Sequence, residues 1–159
     1  MRVGDITYIP LRGRQLGYLS LLMDLFSRRI VGWEYEESMT VALVLSSLRK
    51  AIHHRQPDKG LIHHCDRGGQ YASRRYRNVL RRASILQRMS DANNCYHNVF
   101  MESCFGTLKT ELERVEYNDS LEAIRVLSSY VSYYNLDRRH SCLGYPTPAE
   151  FEPQLTLPI

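Results

Sequence analysis

Three acids in this 159-residue chain stand where acids could do chemistry. Asp5 lies in "DITYIP", which alternates and is rich in β-branched residues. Asp66 lies in "LIHHCDRGGQY", where a short apolar run meets Arg67, Gly68 and Gly69. Glu102 lies in "VFMESCFGTLKTELERV", with 35 residues between it and Asp66. Clustered carboxylates repel one another unless cations sit among them, and hard divalent ions are the natural occupants of an all-oxygen site. Two such ions roughly 3.5–4 Å apart can activate an attacking oxygen and stabilise the leaving oxygen of an in-line phosphoryl displacement. Asp66 alone also suits a plain turn, because Asp and Gly are the commonest loop residues. Spacing alone leaves open that the three are unrelated surface acids.

The elements that would position these acids follow from periodicity. Segments 5–10, 17–27 and 28–37 read as three strands of an antiparallel meander, with polar turns between them. In 39–54, Val41, Val44, Leu45, Leu48 and Ile52 recur at helical spacing, with Thr40 or Ser38 as N-cap. Segment 61–65 reads as a short fourth strand, central and parallel. Segments 73–84 and 85–90 read as a helix and a fifth strand. The long helix 99–115 has an apolar stripe of Met101, Phe105, Leu108, Leu112 and Val115. Glu102 lies off that stripe and shares its face with Gly106, Lys109 and Glu113. A last helix, 120–135, takes Asp119 or Ser120 as cap and precedes a tail rich in Pro and Gly.

The order β-β-β-α-β-α-β-α-α places the chain in the α/β class. It predicts a ribonuclease-H-like fold: a five-stranded mixed sheet, three antiparallel then two parallel strands, with helices on both faces. Residues 1–118 are expected to form the catalytic core, with helix and tail 119–159 packed on it in a single domain. In that fold the first and fourth strands adjoin, so Asp5 and Asp66 meet, and the long helix lowers Glu102 onto them. The fold alone does not settle function.

Composition narrows the classes. At 43% hydrophobic the chain should fold. No apolar run approaches the ~20 residues of a membrane span, and the N-terminus has no signal-peptide pattern. The expected compartment is cytoplasmic. The net charge is +4, and 18 of the 21 basic residues are arginines. Arginine's planar fork suits bidentate contact with phosphate. Arg74, Arg75, Arg77, Arg81 and Arg82 crowd one segment, although a solvated helix face or a codon bias accounts for them equally well. Cys65, Cys95, Cys104 and Cys142 lack C-x2–4-C spacing, so they read as reduced, mostly packing residues. His63, His64 and Cys65 alternate faces of a strand and cannot easily converge on one metal. Trp33 reads as core.

The motifs "DITYIP", "MDLFSRRIVGW", "HCDRGGQYAS", "CYHNVFMESCFGTLKTE" and "YYNLDRRHSCLGYPTPAEFE" resemble, in order, those of the bacterial insertion-sequence-three transposases. These carry the catalytic core also found in retroviral integrases, and the resemblance spans about residues 2–152. It implies that Asp5, Asp66 and Glu102 are the catalytic, metal-binding Asp, Asp and Glu, and that Lys109 holds the DNA end. It implies cleavage at the element's 3′ end and attack of the freed hydroxyl on another phosphodiester, with Mg2+ or Mn2+ as cofactor and two ions per active site. Asp5 would touch both ions, with Asp66 and Glu102 holding one each. Arg67, Gln70 and Tyr71 are expected to line the DNA channel or to serve packing and turn roles, with Arg74 and Arg75 as further DNA-binding candidates. Asp24 is expected to make a structural hydrogen bond to the next turn.

The implied partners are the element's ends, target DNA, further copies of the chain, and a helix-turn-helix protein or a preceding N-terminal segment. A bacterial, nucleoid-associated location follows. The family usually has Trp where Arg2 stands and an acid where His97 stands, and its core follows a DNA-binding segment. Met1 lies four residues before Asp5, so a truncated fragment is expected. The competing readings are a decayed or recruited DNA-binding fragment and a ribonuclease-H-like nuclease.

Overall fold

The computed structural model describes residues 1–89, 96–112 and 116–155; the side chains of residues 96–98, 154 and 155 are not described. Three long antiparallel strands open the chain: β1 (Arg2–Leu11), β2 (Gln15–Asp24) and β3 (Ile30–Glu36). β1 pairs with β2 from Arg2 opposite Asp24 to Leu11 opposite Gln15. Helix α1 (Val41–Arg55) follows, capped by Thr40, whose side chain accepts from the Leu43 N–H. β4 (Ile62–Cys65) then returns parallel to β1, and β5 (Leu86–Met89) lies parallel beyond it. The strand order is β3-β2-β1-β4-β5, so β4 is interior and flanked by β1 and β5.

Between β4 and β5 lie a one-turn helix, α2 (Gly69–Ala72), and α3 (Arg74–Arg82), capped by the Ser73 hydroxyl. The long helices α4 (Tyr96–Leu112) and α5 (Ser120–Leu136) complete the main body. Asp119 caps α5 through the Glu122 N–H, and Glu122 lies in the first turn. The tail is more ordered than its Pro and Gly content suggests. It forms a 3-10 turn at Ser141–Leu143, a short helix α6 (Pro148–Phe151) and a second 3-10 turn at Glu152–Leu155. Thr147 and Glu150 close a capping box around α6.

The strand period of two sorts the core onto two faces of the sheet. Val3, Ile9 and Leu11 of β1 join Met101, Phe105 and Leu108 of α4 and Leu127 and Tyr134 of α5. On the other face Leu22 and Val31 join Leu45 and Leu48 of α1 and Tyr76 and Leu80 of α3. Helices therefore cover both faces. α1 reaches β3 at Gly32, where a Cβ would stand 2.4 Å from the Ser47 carbonyl oxygen, so only glycine permits that backbone approach. Most apolar stripe positions expected on the long helix are buried, but Val115 and the neighbouring Glu113 fall outside the described residues.

The buried polar groups are structural. His63 donates to or accepts from the Tyr76 hydroxyl at 2.9 Å, and burial pushes its imidazole down to about 3. Gly4 leaves it room: a Cβ there would lie 3.0 Å from His63 Cε1. Asp24 accepts from the Phe26 and Ser27 N–H groups and faces the buried Arg2 guanidinium at 3.9 Å. The expected turn-forming role of Asp24 is what the structure has. Cys65 and Cys104 are buried free thiols, Cys142 is an exposed one, and Cys95 lies outside the described residues. Trp33 packs partly buried against the α4/α5 side of the core.

Candidate active site

Asp5 sits mid-strand in β1 and shares the parity of Val3 and Ile9, so it faces the α4 side of the sheet. Its Oδ1 accepts the N–H of Ile6 at 2.8 Å. Asp66 is the first residue after β4. Gly4 registers with Cys65, so Asp5 and Asp66 emerge one step further along two adjacent parallel strands, which lie about 4.8 Å apart. Asp66 is exposed, and its Oδ1 accepts the Gly68 N–H at 2.8 Å, closing a side-chain turn. A Cβ at Gly68 would stand 2.8 Å from that same oxygen, whereas one at Gly69 would meet nothing within 4 Å. Glu102 is exposed on α4, on the flank away from Met101, Phe105 and Leu108.

Asp5 senses the other two acids. Burial pushes the Asp5 carboxyl up to about 6, and the negative charges of Asp66 and Glu102 add to the rise, while the Ile6 N–H opposes it. Among the described residues, no three acid, histidine or cysteine side chains close around one point as a finished metal cage. Asp5 and Asp66 each commit one oxygen to a main-chain N–H and retain a second for a ligand. An all-carboxylate donor set with mutual repulsion suits a hard divalent cation, which would relieve the repulsion.

The remaining expected site residues separate into two groups. Lys109, two turns along α4 from Glu102, is exposed and lies over the Tyr8 ring at 4.1 Å. Tyr8 is itself 55% exposed, and periodicity gave no hint of it, because the pairing joins a strand to a distant helix. Arg67, Arg74 and Arg75 are exposed near the Asp66 turn. Arg74 and Arg75 occupy the first turn of α3, which holds no acid, against the preference of a helix N-terminus for negative charge. Gln70 reaches the Met39 carbonyl at 3.3 Å.

Of the two roles expected for Tyr71, DNA channel or packing, the structure has packing. Tyr71 is 1% exposed and packs edge-on against Tyr76 at 5.2 Å, so its ring is core and cannot meet DNA. The helix expected from 99 starts at Tyr96, so His97 falls in its first turn, and that side chain lies outside the described residues.

An integrase core domain model matches residues 1–95, and a second integrase core domain model matches residues 83–148. The chain belongs to the integrase core domain family. This integrase core is 41% identical over 152 residues to the transposase for insertion sequence element IS904 of Lactococcus lactis subsp. lactis (strain IL1403), covering 94% of this chain and 60% of the relative. It is 38% identical over 151 residues to the transposase InsF for insertion sequence IS3A of Escherichia coli (strain K12), covering 94% of this chain and 52% of the relative. It thus spans between half and two thirds of the length of these curated relatives.

The fold matches solved retroviral integrases. The HTLV-2 integrase catalytic core domain in complex with magnesium, in its trimeric form, superposes with a TM-score of 0.74 at 15% identity, over 94% of this chain and 93% of that one. A simian T-cell lymphotropic virus intasome chain superposes at 0.81 with 21% identity, over 99% of this chain and 55% of that one. The integrase core therefore has the ribonuclease-H-like fold, a five-stranded mixed sheet between helices. No helix among the described residues is long and apolar enough to cross a membrane.

Proposed function

We propose that this chain is the catalytic core of a DDE transposase, cutting a DNA strand at the 3′ end of an insertion sequence and joining it to target DNA. The observation that carries the proposal is the placement of Asp5 and Asp66 one step beyond the Gly4–Cys65 register of two adjacent parallel strands, with the Asp5 carboxyl raised mainly by burial and further by the charges of Asp66 and of Glu102 on α4. Kinship with insertion-sequence transposases supplies the substrate class.

Asp5, Asp66 and Glu102 would hold Mg2+ or Mn2+, two ions in the working site. When bound, these ions supply the activation of the attacking oxygen and the neutralisation of the leaving one. Asp5, on the rigid centre of the sheet, fixes the site's position. Asp66 is aimed by its Gly68 turn, and Glu102 completes the set from α4. Lys109, steadied on Tyr8, is placed to hold a phosphate of the DNA end. Arg67, Arg74 and Arg75 extend the positive surface beyond Asp66, where they would contact phosphates without reading sequence. Assembly of several copies on DNA is part of the same proposal, as is a helical DNA-binding partner or segment that selects the ends.

The test is strand transfer with a labelled, preprocessed end of the element in Mn2+, wild type against Glu102→Gln. Joined product from wild type and none from the variant is the expected result. Equal product from both would remove Glu102 from the chemistry. Cleavage of hybrid substrates with no joining would instead indicate a nuclease of the same fold.

A further inference from the structure

A second basic site lies on the opposite flank of α4 from the carboxylates. Glu102 and Lys109 share one side of that helix, Met101, Phe105 and Leu108 fill the core side, and Phe100, Cys104 and Thr107 turn toward the tail. There the segment after α5 folds back and leaves an open cleft of about 440 Å³. Arg28, Arg138, Arg139 and His140 line it, with Phe100 and Tyr145 at its rim. These residues come from three distant stretches of sequence, and the site proposed above uses none of them.

The chemistry of the cleft is that of an anion site. Arg28 holds a positive φ of 61° and lies over the Phe100 ring at 4.1 Å, which presents its guanidinium at the opening. Arg139 donates to the Tyr145 carbonyl at 3.2 Å, and Arg138 pairs with Glu111 at 2.7 Å. His140 is 7% exposed and packs edge-on against Tyr134 at 4.8 Å. Its Nδ1 lies 3.4 Å from Arg138 Nη1. A guanidinium can only donate, so Nδ1 must accept and the proton must sit on Nε2. The ring is enclosed, its Nε2 has no open surface, and the Tyr134 main-chain carbonyl acts on it as a hydrogen-bond acceptor. His140 therefore braces Arg138 in the cleft wall, and the charge of the cleft comes from its three arginines.

We propose that this cleft binds a backbone phosphate of the DNA strand that crosses α4 from the active site, its charge being met by Arg28 and Arg139. An α-helix with its side chains is about 10–12 Å across, so the two flanks lie about two nucleotides apart along a strand. The ridge between them carries exposed Ser103 and Gly106, small enough to let a strand pass. This proposal rests on the DNA-acting reading above and adds a second contact to it.

The test uses the full chain and two probes, a ~20-base-pair duplex and inorganic phosphate. The double variant Arg28→Gln/Arg139→Gln keeps hydrogen-bonding side chains and removes the charges. In wild type the duplex should bind with a salt slope about one unit steeper than in the double variant, one phosphate contact being lost. Affinity at 0.1 M salt should fall roughly tenfold or more. A duplex carrying a single neutral methylphosphonate should show one position that weakens wild type and costs the double variant nothing further. Unchanged affinity and slope in a double variant that melts like wild type would overturn the cleft while leaving the DNA reading intact. No duplex binding by wild type would overturn both. Phosphate binding that the double variant loses, with duplex affinity unaffected, would make this a free-anion site and overturn the DNA assignment.

Discussion

At the scale of single residues, the proposed site works against the stability of the fold. Asp5 is held in a place that raises its carboxyl from an ordinary 3.8 to about 6. Below pH 4 the folded and unfolded chains both carry the proton and nothing is lost. Between pH 4 and 6 the unfolded chain ionises first, which favours unfolding. Above pH 6 the penalty is complete, about 3 kcal/mol for a shift of about two pKa units. Asp5→Asn keeps the acceptor for the Ile6 N–H and removes the charge. Urea unfolding with chelator present should show the variant more stable than wild type by about 1–3 kcal/mol at pH 7, with the gain gone below pH 4. A variant that is no more stable at pH 7 would show that burial does not strain the Asp5 carboxylate. Charge and residue type made the three acids visible in the sequence. The sequence left Tyr71 between the DNA channel and packing, because a tyrosine beside a Gly-rich turn suits either, and its packing against Tyr76 decides for core.

At the scale of elements, alternation and helical spacing located the five strands and the four longer helices among the described residues, because all but the edge strand β5 bury residues in a two-sided core. Ends were less legible. α4 begins three residues before the expected start at 99, and α2 was hidden by Gly68 and Gly69, which read as turn. In the tail, Thr147-Pro148-Ala149-Glu150 carries the capping-box signal with Pro at the first helical position, which could have revealed α6. The β4–α2 turn makes its own prediction. Gly68→Ala would push a Cβ against Asp66 Oδ1, and that carboxylate can swing aside. Melting temperature should change little, while strand transfer falls about tenfold or more because Asp66 is re-aimed. Gly69→Ala, with open space around it, should behave as wild type. Equal effects of the two substitutions would mean that the turn does not aim Asp66.

At the scale of the whole molecule, the tail is clamped to the sheet by one carboxylate. Glu152 accepts from Arg29 at 2.7 Å, from Arg55 at 2.6 and 3.0 Å, and from Ser27 at 2.9 Å. These partners come from the β2–β3 turn and the end of α1, so no sequence pattern links them. Hydrogen bonds from Arg29, Arg55 and Ser27 outweigh the cost of burial and hold the Glu152 carboxyl below its ordinary range. Its stabilisation is therefore present above the unfolded value of about 4.5 and is lost as pH falls through the lower folded value. Glu152→Gln should lower stability by about 1–2 kcal/mol at pH 7 and by less in acid. Equal loss at both pH values would assign the effect to packing rather than charge.

The central claim is that carboxylates from two strands and a helix form one metal site. A Mn2+ titration of the chain on a duplex end, followed by electron paramagnetic resonance, tests it most directly. Wild type should take up two ions, and Asp66→Asn and Glu102→Gln should each lose at least one while remaining folded. Identical Mn2+ uptake by wild type and both variants would contradict the account.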